Sequence, residues 1–188
     1  MCGRYSLFDD QDNAEIRQII AEVNRRYPDQ SIRTGEIFPT NTVPILTANE
    51  LGLTPKPLVW GFPKYTGSGV IINARAETAE EKKTFRQGLF TSRCIVPSTG
   101  FYEWDAQKRK YLFRLPGEQT LYMAGISREH DGIQRYVILT TAANDSMKDV
   151  HHRMPVILPK DKLYMWISDT DAAIDYLHGE MPPLVRTG

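Results

Sequence analysis

Apolar residues recur at helical spacing in several parts of the chain. One such stretch covers residues 12–27, where charged residues separate five apolar ones, namely Ile16, Ile19, Ile20, Val23 and Tyr27. This pattern predicts an amphipathic helix. A second helix is predicted to begin at Thr78, because Thr78 and Glu81 have capping-box spacing, and to end at Gly88.

Strand-like runs of β-branched and aromatic residues fill most of the remaining chain. The predicted strands are residues 42–48, 57–60, 70–72, 93–96, 101–104, 111–115, 121–126 and 133–141. Turn signals such as Pro116-Gly117 and Asp131-Gly132 separate them. Two further helical patterns, at 160–167 and 170–177, close the chain. Together these elements predict a single α+β domain over residues 1–188, rich in antiparallel strands.

Composition narrows the class of protein. Of the 188 residues, 41% are apolar and 24% are charged, which is typical of a globular protein in water. No apolar run approaches the ~20 residues of a membrane span, and no secretory signal is evident, so we expect a cytoplasmic protein without membrane contact. Basic and acidic residues number 23 each. This balance argues against a histone-like nucleic-acid binder but allows a local basic groove.

Cys2 is the first candidate for chemistry. Because cysteine is small, we expect removal of Met1, which leaves Cys2 with a free α-amine beside its thiol. Their ordinary pKa values, about 8 and about 8.5, make both groups partly nucleophilic near neutral pH. Such a 1,2-aminothiol can attack an aldehyde twice and close a thiazolidine ring. The alternative is a small residue at a frayed terminus.

Three other polar segments are candidates, each with a plainer alternative. Segment 73–78 joins a predicted strand to a helix, where side chains often meet ligands, but it could be a capping loop. Glu103 lies between aromatic residues, where burial would raise its pKa and suit acid–base work, unless it is exposed on an edge strand. His151 and His152 offer a proton carrier or a surface pair. Their spacing matches no zinc motif.

The order of these segments resembles the SRAP (SOS response-associated peptidase) family, which includes abasic-site processing proteins. The motifs that carry the resemblance lie between residue 2 and about residue 158: Cys2-Gly-Arg4, Trp60-Gly61, Asn73-Ala-Arg-Ala-Glu-Thr78, Arg93-Cys-Ile-Val-Pro97, Gly100-Phe-Tyr-Glu-Trp104 and His151-His-Arg-Met-Pro155. The resemblance implies one SRAP domain with a barrel-like, largely antiparallel β core and flanking short helices. Residues 159–188 would be a helical extension without a motif.

The resemblance also implies a function. In that family the mature N-terminal cysteine cross-links to abasic sites in single-stranded DNA through a thiazolidine. Met1 loss would precede it, either by a thiol autopeptidase activity of the protein or by a separate aminopeptidase. Cys2 would be the nucleophile with Asn73 orienting it, while Glu103 and His151 would form the acid–base pair of this lyase-like enzyme. The expected DNA contacts are Arg4, Arg75, Arg153, Thr140, Pro39 and Tyr65. We expect a monomer that needs no metal or other cofactor.

Three features depart from the family's pattern. His152 stands where an acidic or amide residue is common, and Tyr65 is the nearest aromatic residue where tryptophans commonly follow Trp60-Gly61. The neutral net charge predicts weak, salt-sensitive DNA binding. Two other functions stay open, a thiol-dependent autopeptidase with Cys2 as nucleophile and His151 as base, and a non-catalytic single-strand DNA-binding module.

Overall fold

Strands contribute more residues than helices to the computed structural model, which describes residues 2–50 and 52–188. In chain order the strands are β1 (Tyr5–Leu7), β2 (Gly35–Ile37), β3 (Thr42–Asn49), β4 (Gly52–Trp60), β5 (Phe62–Pro63), β6 (Val70–Ile71), β7 (Asn73–Arg75), β8 (Arg93–Ser98), β9 (Gly100–Trp104), β10 (Lys110–Arg114), β11 (Leu121–His130), β12 (Ile133–Ala142), β13 (Arg153–Pro155), β14 (Ile157–Leu158) and β15 (Val185–Thr187). The helices are α1 (Ala14–Arg26), α2 (Ala76–Ala79), α3 (Lys83–Thr91), α4 (Leu163–Ser168) and α5 (Thr170–Leu177), with a 3-10 turn at Lys160–Lys162.

Five strands of the largest sheet close into a barrel. Around the ring, β12 pairs with β4, β4 with β3, β3 with β8, β8 with β11, and β11 again with β12. All five pairings are antiparallel except that of β12 with β4. Closure leaves these strands without free edges. The expected α+β architecture with a barrel-like, largely antiparallel core is therefore confirmed.

A second sheet brings the N-terminal residues beside β9. Its strand order is β15-β10-β9-β1-β2, with every pairing antiparallel. Tyr5 pairs with Ile37 on β2 and with Phe101 on β9. All three of these side chains are fully buried. This packing fixes β1 between two neighbours, so the residues just before it are held close to the body of the protein.

The helices at residues 12–27 and 170–177 are confirmed as α1 and α5, whereas the helix predicted from Thr78 to Gly88 is wrong. Two helices, α2 and α3, replace it, and Thr78 lies inside α2 without capping it. Gly88 lies inside α3, where a Cβ would stand 3.1 Å from the Ser127 carbonyl oxygen. Gly88 therefore permits close packing of α3 on β11 and does not end the helix.

The C-terminal extension docks on the barrel through Arg93 of β8. Its guanidinium donates hydrogen bonds to the carbonyl oxygens of Trp166, at 2.6 Å, and Ile167, at 3.2 Å. Past the helices, β15 pairs with β10, and Arg186 Nη1 donates to both carboxylate oxygens of Asp149, at 2.9 and 2.7 Å. The extension is thus helical, as expected, but ends in a strand. Within the described residues, no helix has the length and apolarity needed to cross a membrane.

Candidate active site

Cys2 lies three residues before β1 and is fully buried. Its thiol faces the Arg4 carbonyl oxygen at 3.7 Å, and its own carbonyl oxygen accepts a hydrogen bond from Asn73 Nδ2 at 3.0 Å. Asn73 is in place because β7 pairs in parallel with β12. Cys2 is therefore a fixed residue, which disagrees with the alternative of a frayed terminus.

Glu103 lies on β9 and is only 4% exposed. Burial raises the pKa of its carboxyl, and the Trp104 backbone and the nearby His152 oppose this increase only in part. Burial also raises the pKa of the Cys2 thiol, and the negative charge of Glu103 raises it further. The two groups thus lie within electrostatic reach of each other. The thiol stays protonated near neutral pH until a base takes its proton.

His151 is held in one orientation by its own loop. Its Nδ1 accepts a hydrogen bond from the backbone N–H of Arg153 at 3.0 Å, so the proton of the neutral ring is on Nε2. Burial lowers the pKa of His151, which favours this neutral form. The ring of His152 stacks on it, with centroids 4.5 Å apart. Because His152 also acts on Glu103, the histidine pair adjoins the Cys2 cluster.

Arg153 and Thr140 lie below the surface. Arg153 is 8% exposed and Thr140 is fully buried. The terminal nitrogens of Arg153 donate to the two Glu77 oxygens at 2.6 and 2.9 Å, and Nη2 also donates to the Thr140 carbonyl oxygen at 2.6 Å. This ion pair lowers the pKa of Glu77. These hydrogen bonds therefore link α2, β12 and β13 beside His151. Contact of Arg153 and Thr140 with DNA stays a prediction.

The other four expected DNA contacts are at least partly exposed. Arg75 is exposed at the end of β7, opposite Thr140 of β12. Pro39 is half-buried, and Tyr65 is 73% exposed in the loop between β5 and β6. Arg4 is half-buried next to Cys2. These positions leave the side chains accessible to a ligand, and their contact with DNA stays a prediction.

A set of side chains around Arg4 carries no sequence signal, because it is assembled by pairing of strands that are distant in the chain. Arg4 forms an ion pair with Glu36, at 3.4 Å, and Lys110 forms one with the same carboxylate. Aromatic rings surround both cations. We call this set the Arg4 face; its members are Arg4, Glu36, Phe38, Tyr102, Trp104 and Lys110.

A buried tyrosine pair, also without a sequence signal, joins the second sheet to the barrel. The hydroxyls of Tyr5 on β1 and Tyr136 on β12 are 2.7 Å apart. Trp60 packs against Tyr5, with ring centroids 5.2 Å apart, and its Nε1 donates to the Ile72 carbonyl oxygen at 3.0 Å. These contacts fix β1 relative to the residue that precedes Asn73. These contacts therefore help to keep Cys2 and Asn73 at hydrogen-bonding distance.

The side chains of the site can take part in covalent and proton-transfer chemistry. In residues 2–50 and 52–188, no group of three or more His, Cys, Asp or Glu side chains is placed to hold a metal ion. The cluster instead offers a thiol, a buried carboxyl and a neutral imidazole. These groups can form a bond to an electrophilic carbon and move the protons that the step requires.

The fold and the cluster of Cys2, Asn73 and Glu103 define a class of protein, a small barrel protein with a polar site centred on a cysteine. The chain belongs to the SOS response associated peptidase (SRAP) family, whose family model matches residues 1–183. It is 34% identical over 203 residues to the abasic site processing protein YoqW of Bacillus subtilis, covering 97% of this chain and 87% of that protein.

A second protein matches at lower sequence identity, and a solved structure matches in fold. The chain is 27% identical over 179 residues to the abasic site processing protein YedK of Escherichia coli, covering 89% of this chain and 79% of that protein. A crystal structure of a Bacteroides thetaiotaomicron protein matches with a TM-score of 0.79 and 24% identity, covering 98% of this chain and 90% of that one. This structure shows the same fold.

Proposed function

We propose that this protein binds single-stranded DNA and captures abasic sites through a covalent bond to Cys2. The observation that carries the proposal is the cluster of Cys2, Asn73 and Glu103, in which a buried thiol lies beside a buried carboxyl and is fixed by a carboxamide. The names of YoqW and YedK, both abasic site processing proteins, support the same function. A binding module alone would need none of these groups together.

The first step of the proposal is the removal of Met1, which lies outside the described residues. While Met1 is attached, the Cys2 nitrogen is an amide and is neither basic nor nucleophilic. Its removal produces an α-amine with an ordinary pKa of about 8. The proposed chemistry therefore requires the mature N-terminus, whichever route removes Met1.

The second step joins the amine to the sugar. An abasic sugar in its open form carries an aldehyde at C1′. The Cys2 amine adds to that carbon, and loss of one water gives a Schiff base. The Cys2 thiol then gives up its proton, its sulfur adds to the same carbon, and the ring nitrogen gains a proton. The product is a thiazolidine, and the second attack is fast because both groups belong to one residue.

The acid–base pair would move the protons of these steps. Glu103, whose pKa is raised by burial, can accept the proton of the Cys2 thiol and return it to nitrogen. The neutral ring of His151 keeps a donor at Nε2, because Nδ1 is occupied by the Arg153 N–H. That N–H can donate a hydrogen bond to the sugar ring oxygen, and the imidazole ring transfers a proton to this oxygen during opening only from its protonated, imidazolium form. Asn73 acts as a positioning residue through its hydrogen bond to the Cys2 backbone.

The test is a denaturing gel of mature protein incubated with abasic single-stranded DNA. We expect a heat-stable shifted band from the wild type and none from Cys2→Ala. Cys94→Ala is the matched control, since Cys94 is equally buried but lies in β8, and it should give the normal band. A normal band from Cys2→Ala would contradict the proposal.

The same experiment, repeated with protein that still carries Met1, separates the two remaining functions. Loss of Met1 by the wild type but not by Cys2→Ala, with no shifted band, would indicate a thiol autopeptidase without a DNA role. Binding that is fully reversed by salt, with neither Met1 loss nor a band, would indicate a non-catalytic single-strand binding module. Intact mass measurement before and after incubation gives the state of Met1 in each case.

A further inference from the structure

Strand pairing assembles the Arg4 face from parts of the chain that are far apart. Glu36 pairs with Ser6 across β2 and β1, and Lys110 pairs with Trp104 across β10 and β9. Arg4 lies just before β1, where its carbonyl oxygen accepts from the Tyr102 N–H at 2.9 Å, and its guanidinium reaches Glu36. One side of this sheet therefore carries two cations and one carboxylate at neighbouring positions.

Aromatic rings hold both cations in place independently of the carboxylate. The Arg4 guanidinium carbon lies 4.1 Å from the Phe38 ring centroid and 5.1 Å from that of Trp104. The Lys110 ammonium lies 3.9 Å from the Tyr102 ring centroid and 5.9 Å from that of Trp104. Cation–π contacts of this kind orient a charge without neutralising it. The two cations would thus keep their places if Glu36 moved away.

Glu36 bridges the two cations with one oxygen each. Its Oε2 accepts from Arg4 at 3.4 Å, and its Oε1 accepts from Lys110. The Glu36 side chain is 32% exposed, so solvent and ligands reach it. In addition, Arg4 Nε is buried and has no hydrogen-bond partner among the described residues. A phosphodiester also has two free oxygens, and it could bridge the same two cations.

We propose that the Arg4 face is a phosphodiester-binding site in which Glu36 occupies the place of the phosphate until DNA binds, with Lys110 as the second cation beside Arg4. This inference rests on the proposed function and names part of the DNA path that it requires. On binding, the phosphate replaces the carboxylate, and Glu36 turns to solvent. Glu36 therefore limits the affinity for intact DNA, and the covalent step supplies retention at a damaged site.

The exchange is favourable on charge grounds. Exposed ion pairs between side chains contribute little to stability, so releasing Glu36 costs little. Arginine and lysine bind phosphate through charge-assisted hydrogen bonds, and each contact also releases counterions from the DNA. The remaining negative charge of Glu36 nearby still repels the phosphate. Removing that charge should therefore strengthen binding, whereas removing the Lys110 charge should weaken it.

The experiment measures binding of an intact oligothymidine single strand by fluorescence anisotropy over a range of salt concentrations. We expect Glu36→Gln to bind about two- to five-fold more tightly than the wild type, the size set by loss of a surface charge interaction. We expect Lys110→Gln to bind more weakly and to lower the log–log salt slope by about 0.7, the value for one phosphate contact on a single strand. The gain from Glu36→Gln should shrink in the Lys110→Gln background.

Two matched controls carry the same changes of charge elsewhere. Glu22→Gln removes a carboxylate of similar exposure, 37%, that pairs with Arg26 on α1 at 3.2 Å. Lys162→Gln removes a partly exposed lysine that pairs with Asp161. Neither control should change the affinity or the slope beyond the small effect of net charge. Urea unfolding of all four variants checks that their folds are retained.

The outcomes separate this inference from the proposed function. If Glu36→Gln and Lys110→Gln bind intact DNA like their controls while the wild type still cross-links abasic DNA, the inference is wrong and the proposed function stands. If the variants behave as expected but no cross-link forms, the phosphate site stands and the capture chemistry is wrong. Weaker binding by Glu36→Gln would overturn the role given to the carboxylate.

Discussion

At the scale of single residues, Glu103 combines burial with a neighbouring thiol. It is buried on β9, and burial raises the pKa of its carboxyl above the ordinary value of a glutamate. Ionising Glu103 therefore costs more free energy in the folded protein than in the unfolded chain, while its position beside the thiol suits it to exchange a proton with Cys2. Function and stability therefore place opposite demands on this residue.

We expect Glu103→Gln to slow cross-linking by roughly 10²–10⁴-fold where proton transfer limits the rate, and yet to stabilise the fold near neutral pH. A carboxyl whose pKa is raised on folding contributes stability below its unfolded pKa of about 4.3 that is lost as pH rises through the folded value. Glutamine does not ionise, so the Glu103→Gln variant does not lose this stability as the pH rises.

Thermal unfolding from acidic to neutral pH checks the second half of this expectation. The melting temperature of Glu103→Gln should exceed that of the wild type at neutral pH, and the difference should shrink as the pH falls below the unfolded pKa. Glu22→Gln, at an exposed position on α1, serves as the control and should show no such trend. A difference that grows on acidification would contradict the raised pKa, and a wild-type single-turnover rate would remove Glu103 from the mechanism.

At the scale of elements, helices with regular apolar spacing could be predicted from the sequence, whereas very short strands could not. The apolar spacing in α1 and α5 is strong enough to identify both helices, because each buries one face against the body of the protein. Strands β1, β2 and β15 have only three residues each, too few for a period to emerge. Their existence depends on partners far away in the chain.

In the candidate site, likewise, some residues could be predicted from the sequence and others could not. The order of motifs was sufficient to bring Cys2, Asn73 and Glu103 into one hypothesis, and the structure places them together. The bridge that Glu36 makes between Arg4 and Lys110 requires the registers of β1 with β2 and of β9 with β10. No local pattern in the sequence specifies those registers.

Gly88 shows how packing can override a helix signal. We expect Gly88→Ala to destabilise the protein by about 1–3 kcal/mol, the usual cost of overpacking, although alanine is the better helix former. The new Cβ would stand 3.1 Å from the Ser127 carbonyl oxygen and 3.3 Å from the Ile126 side chain. Urea unfolding measures the change, with Gln87→Ala at the exposed neighbouring position as the control. A stabilised Gly88→Ala would show that α3 can move away from β11.

At the scale of the whole molecule, the net charge is zero, with 23 basic and 23 acidic residues. Long-range attraction of DNA to the protein as a whole is therefore weak, and salt screens what remains beyond about 10 Å. Any affinity for single-stranded DNA must come from cations that are placed locally. Arg75, exposed at the end of β7 two residues after Asn73, is one such cation.

Two arginine variants with the same change of net charge distinguish local from global attraction. We expect Arg75→Ala to weaken binding of intact single-stranded DNA and to lower the log–log salt slope by about 0.7, because one phosphate contact is lost. Arg17→Ala, which removes an exposed arginine on α1 that pairs with Asp9 at 3.8 Å, should leave the slope unchanged. Anisotropy titrations of both variants at several salt concentrations make the comparison. Equal losses in the two variants would mean that total charge governs binding, and an unchanged slope in Arg75→Ala alone would remove this residue from the DNA path.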